Sequence, residues 1–170
     1  TGGVEDTFKE ITYDELLAAS NAVDGDGDAL RFRIESVNSG TLQKSSGTSW
    51  SPFIPGTTLL SPGEKLRWQG AQDANGLLDA FSVRVTDGSL ASGLPVQVRI
   101  NTAAVDDAPQ LLPSSQSFSV LENQPFTTPL TVVNVDANQT INLSLEGSDA
   151  NAFTISPSGQ LALKQPANYE

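Results

Sequence analysis

The chain has 170 residues, 38% of them hydrophobic, and sets nine Lys and Arg against twenty Asp and Glu, a formal net charge of −11. That balance argues against nucleic acid and anionic membrane surfaces, both held mainly through Lys and Arg, and leaves cations as the natural partners of clustered carboxylates. Cys, Met and His are absent, which excludes thiol or imidazole catalysis, Ser-His-Asp triads and Cys/His zinc sites, so any metal site must be built from oxygen ligands.

The opening "VEDTF" carries Glu5 and is followed by one helix signal. "TYDE" is a capping box, with Thr12 as N-cap and Glu15 three residues on, and "DELLAAS" supplies one or two turns. Then "NAVDGDGD" places Asp24, Asp26 and Asp28 at the mouth of a β-strand. "LRFRIESV" alternates Leu30, Phe32 and Ile34 against Arg31, Arg33 and Glu35, the period of a half-buried strand. Trp50 and Phe53 lie in the Ser/Gly/Pro-rich "SGTSWSPFIPG". They are placed either to stack on a sugar or peptide or to cap the edge of a core. "KLRW" puts Trp68 on the same face as Leu66, in the core. "AFSVRVTDG", with Asp87, and "LPVQVRI" flank a Gly/Ser/Pro turn and read as a hairpin over residues 80–100. "AVDDAPQLLP", with Asp106 and Asp107, is a boundary. Five further strand-like runs follow: "SFSVL", "LTVVNV", "INLSLEG", "AFTIS" and "QLALK". No run of about 18 apolar residues occurs, so no membrane-spanning helix is expected. No signal peptide is evident, and the start "TGGVED" and end "NYE" read as the limits of a piece cut from something longer. The chain is expected to be all-β.

The two halves resemble each other. "VEDTF" recurs as "VLENQPF", aligning Glu5 with Glu122; "AVDGDGDALRFRIES" recurs as "NVDANQTINLSLEG", aligning Asp24 with Asp136 and Asp26 with Asn138. After a one-residue slip, Leu30, Phe32, Ile34 and Glu35 align with Ile141, Leu143, Leu145 and Glu146. "SGTL" at Ser39 recurs as "SGQL" at Ser158. These offsets fit a divergent tandem repeat of roughly 110–120 residues. The first unit spans 1–107 with its short helix. The second, 108–170, lacks any match to the 80–100 hairpin. The expectation is a β-sandwich that is truncated or split, with its missing strands supplied from elsewhere.

Three readings of the Asp24–Asp28 turn stay open. As an EF-hand loop, Asp24, Asp26, Asp28 and Glu35 fall at positions 1, 3, 5 and 12; Ala29 stands where Gly is wanted, and seven extended residues would carry Glu35 roughly 23 Å from Asp28. As a solvated acidic turn it binds nothing. As part of a calcium site it supplies two or three of the six to eight oxygens calcium takes, the rest coming from other loops such as those of Glu5, Asp87, Asp106 and Asp107. Paired acids also perform glycoside chemistry, but these acids cluster in turns at linker spacing, without an evident cleft, and no enzyme is expected.

The order of motifs, from "ITYDELLAASNAVDGDGDALRFRIESVNSGTL" and "FSVRVTDG" to "VLENQPF", "VNVDAN", "AFTISPSGQLAL" and "NYE", resembles cadherin-like tandem repeats, the first half in the form found in large bacterial surface adhesins of the repeats-in-toxin kind. The resemblance covers nearly the whole chain. It implies two Greek-key β-sandwich repeats of cadherin-like or Ig-like type, the second incomplete, stiffened by Ca2+ bound at their junctions. It implies junction ligands Glu5 with Asp73 or Asn75, then Asp106 and Asp107, then Asp136 and Asn138. Asp24, Asp26 and Asp87 would serve a preceding junction, and Glu122 and Glu170 a following one. The "VDDAP" linker is poorer in polar ligands than the family's D-x-N-D-N-x-P, and the first half lacks a clear D-R-E motif. The implied role is an extracellular extender in bacterial cell adhesion and biofilm formation. Its partners would be neighbouring repeats and a surface glycan or protein receptor, without nucleic acid or membrane insertion. The competing role is a carbohydrate- or peptide-binding accessory module of a secreted protein.

Overall fold

A computed structural model of the chain describes residues 2–136 and 139–168. It is almost all β, and it divides into two units, Thr1–Val105 and Asp106–Glu170, where the sequence suggests a boundary after residue 107.

In the first unit the elements are β1 (Gly2–Val4), β2 (Lys9–Thr12), α1 (Tyr13–Ser20), β3 (Arg31–Val37), β4 (Thr41–Ser46), β5 (Ser49–Pro52), β6 (Leu59–Leu60), β7 (Lys65–Gln69), β8 (Gly76–Thr86) and β9 (Val96–Ala103). They form a five-stranded sheet in the order β1-β9-β8-β3-β6 and a four-stranded sheet in the order β2-β7-β4-β5. The alternation in "LRFRIESV" is realised in β3. Phe32 and Ile34 are fully buried, while Arg33 turns outward and donates to Glu35 at 2.6 Å. Phe32, Ile34, Phe81 and Ile100 from one sheet meet Ile11, Leu42, Leu66 and Trp68 from the other in a single core. The unit is therefore a β-sandwich, each such large side chain contributing about 1.5–3 kcal/mol by burial. Trp68 donates its indole N–H to the Ser39 carbonyl at 2.8 Å, so its polar edge is satisfied.

The helix starts as the sequence predicts. Thr12 N–H donates to Glu15 Oε2 at 2.7 Å and Glu15 N–H donates to Thr12 Oγ1 at 3.1 Å, a complete capping box. Tyr13 anchors that turn, its ring edge-on to Phe32 at 5.6 Å and its hydroxyl donating to the Leu30 carbonyl at 2.8 Å. The expected hairpin is the β8–β9 pair.

In the second unit β10 (Gln110–Leu112) pairs with β12 (Thr131–Val133), and β11 (Thr127–Pro129) and β13 (Phe153–Ile155) flank β14 (Gln160–Leu163); a 3-10 turn at Ala150–Ala152 precedes β13. "AFTIS" and "QLALK" thus form strands, and "LTVVNV" does so in its first half. "SFSVL" and "INLSLEG" do not: neither enters a ladder among the described residues. Ile141, Leu143 and Leu145 keep the in–out alternation but are only half-buried. Alternation sets which side chains face inward; a strand also needs a neighbour for its backbone.

Candidate metal centre

Each unit gathers oxygen ligands at the ends of its strands. In the first, β1 runs parallel to β9 with Val4 opposite Ala103, and Glu5 N–H continues the ladder to the Ala103 carbonyl at 3.0 Å. The Glu5 side chain then reaches the outgoing chain, where its Oε1 accepts from Val105 N–H and its Oε2 from the Asn75 amide at 2.9 Å. Asn75 is in place because β8 begins beside it, with Gly76 opposite Thr102. Asp6 follows in the left-handed region, φ 56°, and its Oδ1 accepts the N–H of Asp73, itself at φ 58°. The Asp6 carbonyl accepts from the Gln69 amide at 2.8 Å.

Glu5 is the informative member. It is 3% exposed, and none of the ion pairs among the described residues involves it. Two neutral donors meet a buried carboxylate that normally calls for a cation as well. The residues gathered with it, Asp6, Asp73 and Asn75, are oxygen donors without a lysine or arginine, a ligand set that suits a hard metal ion.

In the second unit the antiparallel β10–β12 register, with Gln110 opposite Val133, runs on to bring Asp107 opposite Asp136. Asp107 N–H donates to Asp136 Oδ2 at 2.7 Å, and the Gln139 amide donates to Asp106 Oδ1. Glu5, Asp6, Asp73, Asp107 and Asp136 are the carboxylates that enter groups close enough to share a metal ion. Acidic groups of this chain could therefore hold a metal ion.

The other sequence-predicted ligands are arranged differently. Asp24 Oδ1 accepts the N–H groups of Asp26 and Asp28, each at 2.9 Å, closing its own turn, and Asp26 and Asp28 are exposed. β3 follows at Arg31 and holds Glu35 in ion pairs with Arg33 and Arg84, so no EF-hand loop forms. Asp87 Oδ1 accepts from Ser89 and Leu90 N–H at 2.6 and 2.7 Å in the β8–β9 turn. Those N–H groups, that of Leu90 foremost, hold its carboxyl below the usual aspartate value. Asp24 and Asp87 line one open cavity of about 650 Å3, so they share an end of the first unit. Among the described residues neither belongs to a three-carboxylate group. Glu122 is exposed; the next residue, Asn123, donates its N–H to the Ala167 carbonyl at 2.8 Å. Asn138 and Glu170 lie outside the described residues.

Sequence reasoning missed Asp6 and Gln139. A signal for Asp6 was present in the repeat. Glu5-Asp6 aligns with Glu122-Asn123, and Asp6 and Asn123 share the left-handed conformation at φ 56° and 55°. Of the two loop aromatics, Phe53 packs against the core. Trp50 lies on the opposite side of the four-stranded sheet's β5, its ring and that of Phe8 flanking the Arg67 guanidinium at 4.6 and 4.2 Å.

No helix among the described residues is long and apolar enough to cross a membrane. No family model, curated protein or solved structure matches the chain.

Proposed function

We propose that this chain is a calcium-binding, calcium-stiffened extender module of a large bacterial surface adhesin, outside the cell, built from two cadherin-like Greek-key repeats. The observation that carries the reading is Glu5, a buried carboxylate without a cationic partner, bonded to Val105, the last residue of the first unit. Asp106 follows directly, and Asp107 is bonded to Asp136. The matched left-handed residues Asp6 and Asn123 support common descent of the two units.

In this reading Glu5, Asp6, Asp73 and Asn75 of the first unit, and Asp106, Asp107 and Asp136 of the second, are Ca2+ ligands. The bound cation supplies positive charge that offsets the mutual repulsion of these carboxylates. Glu5 fixes the outgoing chain at Val105. Asp107 and Asp136 fix the incoming strand. The role is mechanical: setting the spacing and stiffness between neighbouring modules.

The test is thermal melting in Ca2+ and in chelator. A one-site ligand at 100 times its dissociation constant stabilises by about 2.7 kcal/mol, and each kcal/mol is worth roughly 4–8 °C in a domain of this size. We expect a rise of several degrees in Ca2+ for the unaltered chain, reduced to under about one degree in Asp107→Asn/Asp136→Asn. An unaltered chain that melts at the same temperature with and without Ca2+ would remove the basis of the proposal.

A further inference from the structure

The outer face of the four-stranded sheet holds a cation that the chain leaves without a counter-charge. Ile11, Leu42, Leu66 and Trp68 face the core, so Glu10, Gln43, Lys65 and Arg67 alternate outward. The register sets Glu10 and Gln43 on either side of Arg67. Glu10 pairs with Lys65 at 3.2 Å, while the Arg67 guanidinium turns to Gln43 and donates from Nε to its Oε1 at 2.6 Å. None of the ion pairs among the described residues includes Arg67. In a chain of net charge −11, an outward arginine that no carboxylate neutralises is a place for an anion from outside.

Aromatic rings hold the guanidinium instead. Arg67 Cζ lies 4.2 Å from the centre of the Phe8 ring and 4.6 Å from that of Trp50. Phe8 is 40% exposed and Trp50 half-buried, so both rings belong to the surface. Two ring contacts and the bond to Gln43 fix the guanidinium in one orientation, so a ligand need not order it. Donors are left over around it. Arg67 Nη1 and Nη2, the Gln43 amide nitrogen and the Trp50 indole nitrogen make no hydrogen bond among the described residues, and none of these atoms is buried.

We propose that this face binds an anionic sugar, a uronic acid residue carrying one carboxylate. The carboxylate takes the free edge of the Arg67 guanidinium, a planar fork that matches it. The C–H faces of the sugar pack against the flanking rings, and its hydroxyls accept from the Gln43 amide. An apolar acid would leave the neutral donors unpaired, and a neutral sugar would leave the guanidinium uncompensated. An acidic peptide fits less well, because such motifs are read by clusters of arginine and this face offers a single one. The net charge of −11 repels a polyanion more than it repels one carboxylate.

The experiment titrates the full isotope-labelled chain with methyl β-D-glucuronide and follows the indole N–H signals by NMR. Trp68 is the internal control, since it is buried and its indole N–H is bonded to Ser39. The Trp50 signal should shift saturably with a dissociation constant near about 1 mM, the order a ligand of this size reaches, while Trp68 stays in place. The methyl ester of the glucuronide, which lacks the charge, and acetate, which lacks the ring, should each bind at least about tenfold more weakly. Arg67→Gln should weaken glucuronide binding to the same degree, with its melting temperature showing that the variant is folded. The ester comparison uses the unaltered chain and decides the matter if that variant does not fold. The constant should be the same with and without Ca2+, so failure here would not bear on the calcium ligands. Absence of saturation at about 30 mM overturns the proposal. Equal binding of acetate also overturns it, leaving an adventitious ion only. So does equal binding of the ester, tighter binding of a Glu-containing peptide, or binding that appears only with Ca2+, which would put the sugar at the carboxylates.

Discussion

Thr12 marks where α1 begins, and its role is local enough to test by itself. Its hydroxyl accepts from Glu15 N–H while Glu15 reaches back to its own N–H. Thr12→Ala should cost about 1 kcal/mol, within roughly 0.5–2. In a domain of this length that lowers the melting temperature by about 4–8 °C, read from the near-ultraviolet signal of the tryptophans, Trp50 and Trp68. An unchanged melting temperature would mean that tertiary contacts, such as Tyr13 on Phe32, hold the turn unaided. This cap was legible in four consecutive letters because all its partners lie within one turn. The Asp6–Asp73 contact was not, because the partners are far apart in sequence and meet only through the sandwich. Glu5 was legible as a candidate, but its burial and its bond to Val105 depend on the parallel β1–β9 pairing, which no local pattern announces.

β3 and residues 141–146 separate two properties that a sequence pattern merges. Both alternate apolar and polar residues; only β3 has β8 and β6 beside it, and only β3 is a strand. The inward-facing set was therefore readable in both halves, while strand formation was readable only where the partner hairpin was also present. The short strands β5, β6 and β10 gave no period to read, since two to four residues cannot establish one. At the β3–β4 turn, Gly40 has φ +69°, and a Cβ there would sit 2.0 Å from the Gln69 carbonyl. Gly27 has φ +85° with open space around it. Backbone strain is common to both, so the comparison isolates the clash. Gly27→Ala should cost about 1 kcal/mol and Gly40→Ala at least about 2–3, measured by urea unfolding. Equal losses would show that the β4–β7 ladder yields freely at this point.

At the scale of the molecule, charge governs the response to acid. The carboxyls of Glu15, Glu64 and Asp87 sit below their ordinary values. Glu15 is held there by Thr12 N–H, aided by Lys9. Burial pushes Glu64 upward, but Lys44 and Ser61 N–H together prevail. Asp87 is held by the N–H groups of its turn. A carboxyl lowered on folding stabilises the fold above its unfolded value and loses that contribution as pH falls through its folded value. Above about pH 5 these contributions are constant, while protonation elsewhere relieves the repulsion of a net −11. Urea midpoints should therefore stay level or rise from pH 7 to about 5 and fall below about 4. Glu15→Gln/Glu64→Gln should flatten that acid limb; an unaltered limb in the double variant would assign the acid response to other groups.

The parallel pairing of β1 with β9 has a further consequence for a chain under tension. Gly2–Val4 enters the first unit and Asn101–Ala103 leaves it, side by side and pointing the same way. Traction applied at the two ends of that unit drags these strands past each other lengthwise. Their cross-links are then strained in shear, all together, and cannot peel apart singly as a hairpin's would.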